Sequence, residues 1–552
     1  MSLFPRRAAA AASLFTSMIL AQPAAAESLP VAEALRVGLT LEYSDDTVER
    51  RFYAARDYRP VWLAADGTAT PTARSLISWA EKAAANALPA ERYGIAGLAA
   101  RLAEARPGAY SHASELELGL TRLFLVYAHD LSSGLLEPRA VSAGIDIEPH
   151  RPAPEGLLAR LGEATDIPAF LDSLAPSDPA YARLRTLYAD LREIAANGGW
   201  GPGIAEGPTL RPGDRDRRIG QLRARLIALG DLPATEKVAT TALMSDAAPA
   251  VSDPRLFDPG IEAAVLRFQA RHGLNTDGAV GRMTLAALNT DAEERMRQAA
   301  VNLERLRWLN YDLGARHVMI NTAAFTMSLF ENGEPRFTTR AVVGKARRHQ
   351  TPEFNDQLEF IVVNPTWNVP YSIATKEILP LLRENPAYLE ENNMELLNSD
   401  LPASQVDWTQ VIRSSFPGRL RQRPGPGNAL GQVKFMFPND HSVYMHDTPA
   451  RRLFAKDRRD YSHGCVRLQN PVEFAHLLLS LWDNDPAGTF ARLRASARER
   501  WVKVPEAIPV YVTYRTAWLD PDGTRQFRGD VYHRDRDVAA ALHKAGVRAI
   551  GG

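Results

Sequence analysis

The spacing of apolar residues changes near residue 317, and this change limits the folds that the chain can adopt. Before it, apolar residues recur at intervals of three and four, as in Glu115–Leu131 and Tyr181–Ala195, which predicts amphipathic helices. From His317 the interval becomes two, and the alternating run Phe325–Phe330 ends at the turn sequence Glu331–Glu334, which is typical of strands. The sequence therefore predicts helical domains followed by a mostly β domain.

A run rich in glycine and proline, Gly198–Gly203, divides the helical half of the chain because it cannot continue a helix. Residues 27–200 are predicted to form a helical domain, and residues 211–290 a smaller helical module. Within the module, Asp258 is the expected N-cap of a helix because Pro259 follows it in the first turn.

The β half of the chain contains one long interruption. Strand patterns in residues 300–500 stop between about 371 and 430, where helix-like and loop-like sequence takes over, and then resume. A long segment of this kind between strands is commonly a lid, and the alternative is an insertion without a function. Residues 501–552 are predicted to add strands, at Ile508–Trp518 and Val531–His533, that pack on the preceding domains.

Residues 1–26 have the pattern of a cleavable secretory signal peptide. Arg6 and Arg7 precede an apolar run, and Ala24–Ala26 supply small residues before the expected cleavage point. The apolar run is shorter than the ~20 residues of a membrane span, so an uncleaved anchor is the less favoured alternative. No later stretch is long and apolar enough to cross a bilayer, so we expect an exported, periplasmic protein.

Charge and cysteine content narrow the class further. The chain has 65 basic and 65 acidic residues, and this balance argues against nucleic acid or an acidic membrane surface as a partner. The chain has one cysteine, so no internal disulfide can form. Hydrophobic residues make up 45% of the chain, which is ample for packed cores.

That single cysteine, Cys465, has the neighbours of a reactive thiol. Ser462, His463 and Gly464 precede it and Arg467 follows it. A lone cysteine beside glycine is more often a small buried hydrophobe. An unpaired cysteine in an exported protein, next to imidazole, hydroxyl and guanidinium groups, is better explained as a working thiol. By strand alternation, we expect His463 and Arg467 to project on the same side as the sulfur.

These residues resemble the signature of the L,D-transpeptidases of peptidoglycan, which places a histidine about fifteen residues before Ser-His-Gly-Cys-x-Arg. His446 and residues 462–467 fill every position, and residues 351–354 and 364–370 are also similar. The resemblance implies a multidomain α+β fold of the large Gram-negative type. It has a mostly β catalytic domain with a sandwich-like sheet and a capping insert at about 371–430, preceded by a helical scaffold domain and a helical peptidoglycan-binding module.

The resemblance also implies roles for the site residues. Cys465 is the expected nucleophile and His446 the expected base, with its second nitrogen bonded to a carbonyl such as that of Asp447. His463 ranks second as base and is the better candidate for ordering the loop. Backbone N–H groups of Gly464 and Cys465 are expected to stabilise the oxyanion, Gly464 avoiding a side chain that crowds the substrate carbonyl. The other expected site residues are Ser462, as a partner of a loop carbonyl or of the imidazole, Arg467, as a carboxylate or thiolate partner, and Tyr444 and Trp367, as groove-lining residues.

The implied reaction releases D-Ala from a tetrapeptide stem and joins its third residue to a diaminopimelate amine of another stem, with inactivation by carbapenems at the same sulfur. Peptidoglycan stems and glycan are the implied partners, other wall-synthesis enzymes are further candidates, and no cofactor or metal is expected. The alternatives are transfer to water or to a protein by the same thiol, a zinc peptidase using His441, His446, Asp447 and His463, and a non-catalytic wall-binding scaffold.

Overall fold

A computed structural model describes residues 31–110, 112–233 and 253–548, so the predicted signal peptide at 1–26 lies outside the described residues. The α-helices are α1 (Val31–Glu42), α2 (Val48–Ala54), α3 (Pro71–Ala80), α4 (Ile95–Ala103), α5 (Ala113–Ser133), α6 (Pro138–Val141), α7 (Pro154–Glu163), α8 (Ile167–Asp172), α9 (Pro179–Ala196), α10 (Arg218–Ala228), α11 (Pro259–Arg271), α12 (Arg282–Asn289), α13 (Ala292–Trp308), α14 (Tyr371–Ile373), α15 (Leu379–Glu384), α16 (Tyr388–Glu391), α17 (Pro471–Leu479), α18 (Pro486–Ala495) and α19 (Arg534–Lys544). The strands are β1 (Arg316–Asn321), β2 (Thr326–Glu331), β3 (Glu334–Gly344), β4 (Phe354–Val363), β5 (Trp367–Asn368), β6 (Met394–Leu397), β7 (Arg419–Gln422), β8 (Val433–Met436), β9 (Met445–His446), β10 (Asp460–Ser462), β11 (Val466–Leu468), β12 (Arg500–Thr513), β13 (Ala517–Leu519) and β14 (Arg525–Phe527).

The chain divides into two compact units, and the first comprises the described residues of 31–78, 95–124 and 154–167. This unit is helical, and Glu117 organises its interior. The buried Glu117 carboxylate accepts hydrogen bonds from the Tyr53 hydroxyl at 2.9 Å and from the backbone N–H of Leu63 at 3.0 Å. Burial raises the pKa of Glu117, and these hydrogen bonds oppose the shift.

The second unit comprises residues 79–94, 125–153 and the described residues from 168 onward. Helices α10, α11 and α12 form a small module around a core that includes Leu222, Val265 and Phe268. The expected N-cap of α11 is confirmed, since the Asp258 side chain accepts from the N–H of Ile261 at 2.9 Å. The long helix α13 leads from this module into the sheet, and most of its side chains are buried.

A nine-stranded mixed sheet forms the C-terminal domain, in the order β10-β3-β11-β9-β8-β4-β12-β1-β2. Strand β2 also pairs with β3, so the sheet closes on itself, whereas the resemblance implied a sandwich-like sheet. The turn predicted at Glu331–Glu334 is confirmed, since it joins the antiparallel strands β2 and β3. The core of the domain includes Val318, Phe435, Val466 and Val510, from four strands of the ring.

The predicted boundary of the β domain at residue 500 is wrong. Strand β12 begins at Arg500 and pairs with both β4 and β1, so it is an interior strand of the sheet. The chain leaves this sheet after Thr513, and β13 and β14 then form a separate hairpin, so Ile508–Trp518 is not one strand. Buried side chains continue across the break, at Tyr514, Thr516 and Ala517, which is why the sequence gives no sign of it.

The predicted edge strand Val531–His533 is also wrong, because these residues form a turn before α19. Tyr532 is buried there by tertiary contacts. Its backbone N–H donates to the Tyr514 hydroxyl at 2.8 Å, and the two rings stack with centroids 5.6 Å apart. Apolar side chains that looked strand-like are therefore held by a neighbouring residue and not by a ladder.

The long interruption is a folded insert with its own core. Strands β5, β7 and β6 form a three-stranded sheet, and α14, α15 and α16 lie in the same segment. The insert core includes Ile378, Leu382, Trp408 and Leu420. A π-helical turn at Ala374–Ile378 lies between α14 and α15.

Candidate active site

The thiol lies on a bend between two strands of the sheet. Strand β10 ends at Ser462 and β11 begins at Val466, so residues 463–465 are outside any ladder. The Ser462 hydroxyl closes this bend, donating to the Cys465 carbonyl at 2.5 Å and accepting from the Gly464 N–H at 3.1 Å. Ser462 is thus bonded to the loop backbone, as the sequence suggested.

The backbone conformation at position 464 requires glycine. Its φ is +120°, which L-residues rarely adopt, whereas a Cβ built at this position would meet no atom within 4 Å. The space beside the Gly464 Cα is therefore open. Because the Gly464 N–H already donates to Ser462, it is not a free oxyanion donor in this arrangement, in contrast to the expectation from sequence. The Cys465 N–H has no partner among the described residues.

His446 is brought beside the thiol strand by parallel pairing of β9 with β11. His446 is the register partner of Arg467, and Met445 that of Val466. His446 Nδ1 lies 2.5 Å from the Asp447 carbonyl oxygen, which can only accept, so Nδ1 carries the proton and Nε2 has a free lone pair. Burial, with the nearby Arg467 charge, lowers the pKa of His446 to about 3, so the ring is neutral.

Asp447 fixes the chain just after His446. Its buried carboxylate accepts from the Gln432 N–H at 2.8 Å and from the Arg451 guanidinium at 2.5 Å. A Cβ on Gly431 would come within 2.3 Å of the Asp447 side chain, so glycine permits this close approach. The imidazole is therefore held by backbone that is itself anchored.

The sulfur of Cys465 lies beside the short loop that precedes β9. Its Sγ is 3.7 Å from the Ser442 carbonyl oxygen, and Ser442 adopts a left-handed φ of +56°. Burial raises the pKa of the Cys465 thiol, while hydrogen bonds from Tyr444 and the charge of Arg467 oppose the shift. Burial also raises the pKa of Tyr444, and the thiol adds to that shift. Tyr444 therefore lies against the sulfur.

Arg467 presents a guanidinium without an anionic partner. Its Nε is buried and makes no hydrogen bond with any described residue. Burial lowers the pKa of Arg467, and the charges of Cys465 and Glu377 oppose that shift. A buried cation normally has a partner, so this side chain is suited to an anion that the described residues do not supply.

His463 points to the insert. Its Nε2 lies 2.6 Å from Glu377 Oε1, and its ring centroid is 4.7 Å from that of His349. Because residues 463–465 form a bend with a positive φ at Gly464, the expected alternation of His463 with Cys465 does not apply. No hydrogen bond joins His463 to the thiol among the described residues.

Trp367 lies on β5 of the insert, opposite Gln422 of β7, and packs against the insert core. Tyr444, by contrast, contacts the sulfur. Of the two residues expected to line a groove, the structure brings Tyr444 to the thiol and gives Trp367 a packing role in the insert.

Hydrogen bonds from residues that the sequence did not predict for the site hold the thiol bend in place. The Thr351 hydroxyl donates to the Gly464 carbonyl at 2.7 Å, and Arg534 Nη2 donates to the Thr351 carbonyl at 2.8 Å. The Tyr532 hydroxyl donates to the Gly344 carbonyl at 2.6 Å. The similarity at residues 351–354 was the one signal for Thr351, whereas nothing local marks Arg534.

The histidines proposed for a zinc site have separate partners. His441 Nε2 pairs with Asp146 at 2.8 Å, while His446 and His463 bond to Asp447 and Glu377. Within 31–110, 112–233 and 253–548, no group of three histidine, cysteine or acidic side chains could hold a metal ion. In the same ranges, no helix has the length and apolar character of a membrane span.

Three family models match the chain in the order expected from sequence. A scaffold domain matches residues 49–187, the family described as "Putative peptidoglycan binding domain" matches 215–288, and an L,D-transpeptidase catalytic domain matches 315–512. The third match contains His446 and Cys465, so the thiol site lies in a catalytic domain of the L,D-transpeptidase class.

A curated protein of Haemophilus influenzae, named "Putative L,D-transpeptidase", is 31% identical over 248 residues, which are 44% of this chain and 49% of that protein. The chain thus spans about half the length of this relative. It contains an L,D-transpeptidase catalytic domain at residues 315–512, and it has the multidomain α+β fold that the resemblance implied.

Two solved structures are distant likenesses. An L,D-transpeptidase from Xylanimonas cellulosilytica is 14% identical, with a TM-score of 0.18 over 57% of this chain and 100% of that chain. An L,D-transpeptidase from Stackebrandtia nassauensis is 13% identical, with a TM-score of 0.21 over 57% of this chain and 97% of that chain. These TM-scores are too low to assign a fold from either structure.

Proposed function

We propose that the chain is a peptidoglycan L,D-transpeptidase that joins the third residue of one stem peptide to the diaminopimelate amine of another. The observation that carries this proposal is the unpartnered Arg467 guanidinium beside the thiol. Stem peptides end in carboxylates, and a fixed guanidinium binds such a group with two donors. A thiol, a neutral imidazole and a carboxylate site together suit acyl transfer from a peptide carbonyl.

The first half-reaction forms a thioester on Cys465. As the sulfur attacks the carbonyl of the third residue, the thiol proton passes to His446 Nε2, whose lone pair is free. The Cys465 N–H, which lacks a protein partner, is the candidate donor to the developing oxyanion. His446 then gives its proton to the departing amine of D-Ala.

Substrate binding strengthens this base. The Arg467 charge contributes to the low pKa of His446, so a carboxylate paired with Arg467 removes part of that contribution and raises the pKa of His446. The base is therefore most effective when the donor stem is in place.

In the second half-reaction, the acceptor amine attacks the thioester. The carbon–sulfur bond breaks, a carbon–nitrogen bond forms, and His446 returns the amine proton to the sulfur. The helical module at 211–290 is proposed to bind glycan, and the insert at 371–430 is proposed to cap the substrate groove. The protein is proposed to act in the periplasm.

Incubation of sacculi with the purified protein tests this function. After muramidase digestion, mass spectrometry is expected to show third-to-third dimers, and no dimers with Cys465→Ala as the matched control. Trimmed tripeptide monomers without dimers would instead identify a hydrolase, and attached protein would identify a ligase.

A further inference from the structure

Glu377 brings a carboxylate from the insert to the thiol site. It extends from the π-helical turn Ala374–Ile378, and its Oε1 lies 2.6 Å from His463 Nε2. The side chain is 50% exposed, and Oε2 has no hydrogen-bond partner among the described residues. One oxygen of Glu377 is thus held by the thiol bend while the other is free for a ligand.

The charges around Glu377 are otherwise positive or neutral. Glu377 opposes the lowering, by burial, of the pKa of Arg467, and so does Cys465. Burial lowers the pKa of His349, and the charges of His463, Lys345 and Lys376 lower it further. The Glu377 carboxylate opposes this shift. Glu377 is the one carboxylate among these groups, so it is the group able to attract a cation beside the sulfur.

We propose that Glu377 binds the ammonium group of the acceptor and holds it at the thioester on Cys465, so that the acyl group passes to an amine in preference to water. This inference rests on the proposed function, which requires an amine acceptor. The π-helical turn adds weight, because such turns are rare and are frequent at functional sites.

The proton balance of this step is complete. An acceptor ammonium first loses one proton, through Glu377 and His463, to solvent. The neutral amine then attacks the thioester carbon, the carbon–sulfur bond breaks, and the second amine proton passes through His446 to the sulfur. The products are an amide, the free thiol and one released proton.

A purely structural role for Glu377, as a tether between the insert and His463, predicts a different result. Glu377→Gln keeps an oxygen that can accept from His463 and loses the negative charge. If Glu377 is only a tether and its hydrogen bond with His463 persists in Glu377→Gln, both half-reactions stay intact. If that hydrogen bond is lost, both half-reactions become slower. Loss of an ammonium site affects the second half-reaction alone.

The test compares the wild-type chain, Glu377→Gln and Glu384→Gln, a control on an exposed glutamate at the end of α15. A disaccharide tetrapeptide serves as donor and acceptor, and chromatography gives the ratio of third-to-third dimer to hydrolysed tripeptide. The rate of covalent adduct formation with a carbapenem gives the first half-reaction. We expect Glu377→Gln to lower the dimer-to-tripeptide ratio by at least about tenfold, with the adduct rate unchanged and the control like wild type.

Wild-type ratios in Glu377→Gln, or equal losses of adduct and dimer, would overturn the role of Glu377 and leave the proposed function in place. A wild-type chain that yields tripeptide and no dimer would overturn the crosslinking function itself, and the role of Glu377 with it.

Discussion

Cys465 and His446 are both uncharged at rest, unlike the thiolate–imidazolium pairs of strongly activated cysteine enzymes. Burial raises the pKa of the thiol and lowers the pKa of the imidazole to about 3. In the proposed reaction, the nucleophile forms as the thiol proton moves to His446, and a substrate carboxylate at Arg467 favours that transfer.

Alkylation by iodoacetamide reports this state of the thiol. The thiolate is the reactive form, so a raised thiol pKa keeps the alkylation rate low at neutral pH. The rate is expected to increase only at a pH above ~8.5, the pKa of a free cysteine. A rate that is already maximal below pH 7 would contradict a neutral thiol.

Arg467→Gln tests the carboxylate site. Losing a charged hydrogen bond to the donor is expected to lower kcat/KM by about tenfold to a hundredfold, mainly through KM. Because the Arg467 charge lowers the thiol pKa, the alkylation profile moves to higher pH. Arg452→Gln, an exposed position, is the control. An unchanged KM would show that the donor carboxylate binds elsewhere.

The sequence predicted that Cys465, His446 and the Asp447 carbonyl lie in one region, because they belong to a short motif and to one pair of neighbouring strands. It misassigned the Gly464 N–H, which depends on where the Ser462 hydroxyl points. It missed Glu377, since the contact spans 86 positions and no local pattern records it.

The bend that carries the thiol is held by elements distant in sequence. Thr351 bonds to Gly464, and Arg534 of α19 bonds to Thr351 and, at 3.3 Å, to Glu353. Arg534 and Glu353 are each 1% exposed. Residues that follow the β domain thus help to hold the thiol bend. The strand wrongly predicted at Val531–His533 gave no indication of this role.

Arg534→Met removes a guanidinium partner of the buried Glu353 carboxylate. The expected loss is about 3–5 kcal/mol of unfolding free energy, together with slower carbapenem adduct formation. Urea denaturation and intact mass measure the two effects. Arg536→Met, an exposed neighbour on α19, is the control and should change neither. Full stability of Arg534→Met would remove α19 from the support of the bend.

Across the whole C-terminal unit, α13 connects the helical module, the sheet and the tail. Asn302 on this helix is buried, donates to the Thr516 hydroxyl at 2.7 Å and accepts from the Thr516 N–H at 3.0 Å. The module is tied to the β domain as well, since the Asn275 N–H donates to Asp457 at 2.5 Å. We infer that these parts unfold together.

Asn302→Ala tests this connection. Leaving Thr516 with unpaired buried groups is expected to cost about 1–3 kcal/mol. Tryptophan fluorescence and adduct formation should be lost at the same, lower urea concentration. Asn484→Ala, at an exposed position, serves as the control. Separate transitions for fluorescence and adduct would show that the parts unfold independently.

The most direct test of the central claim is intact mass after exposure to a carbapenem, for the wild-type chain and Cys465→Ser. The wild-type mass is expected to rise by one carbapenem molecule and the Cys465→Ser mass to stay unchanged, because Cys465 is the single thiol of the chain. An adduct on Cys465→Ser, or none on the wild type, would contradict the assignment of Cys465 as the nucleophile.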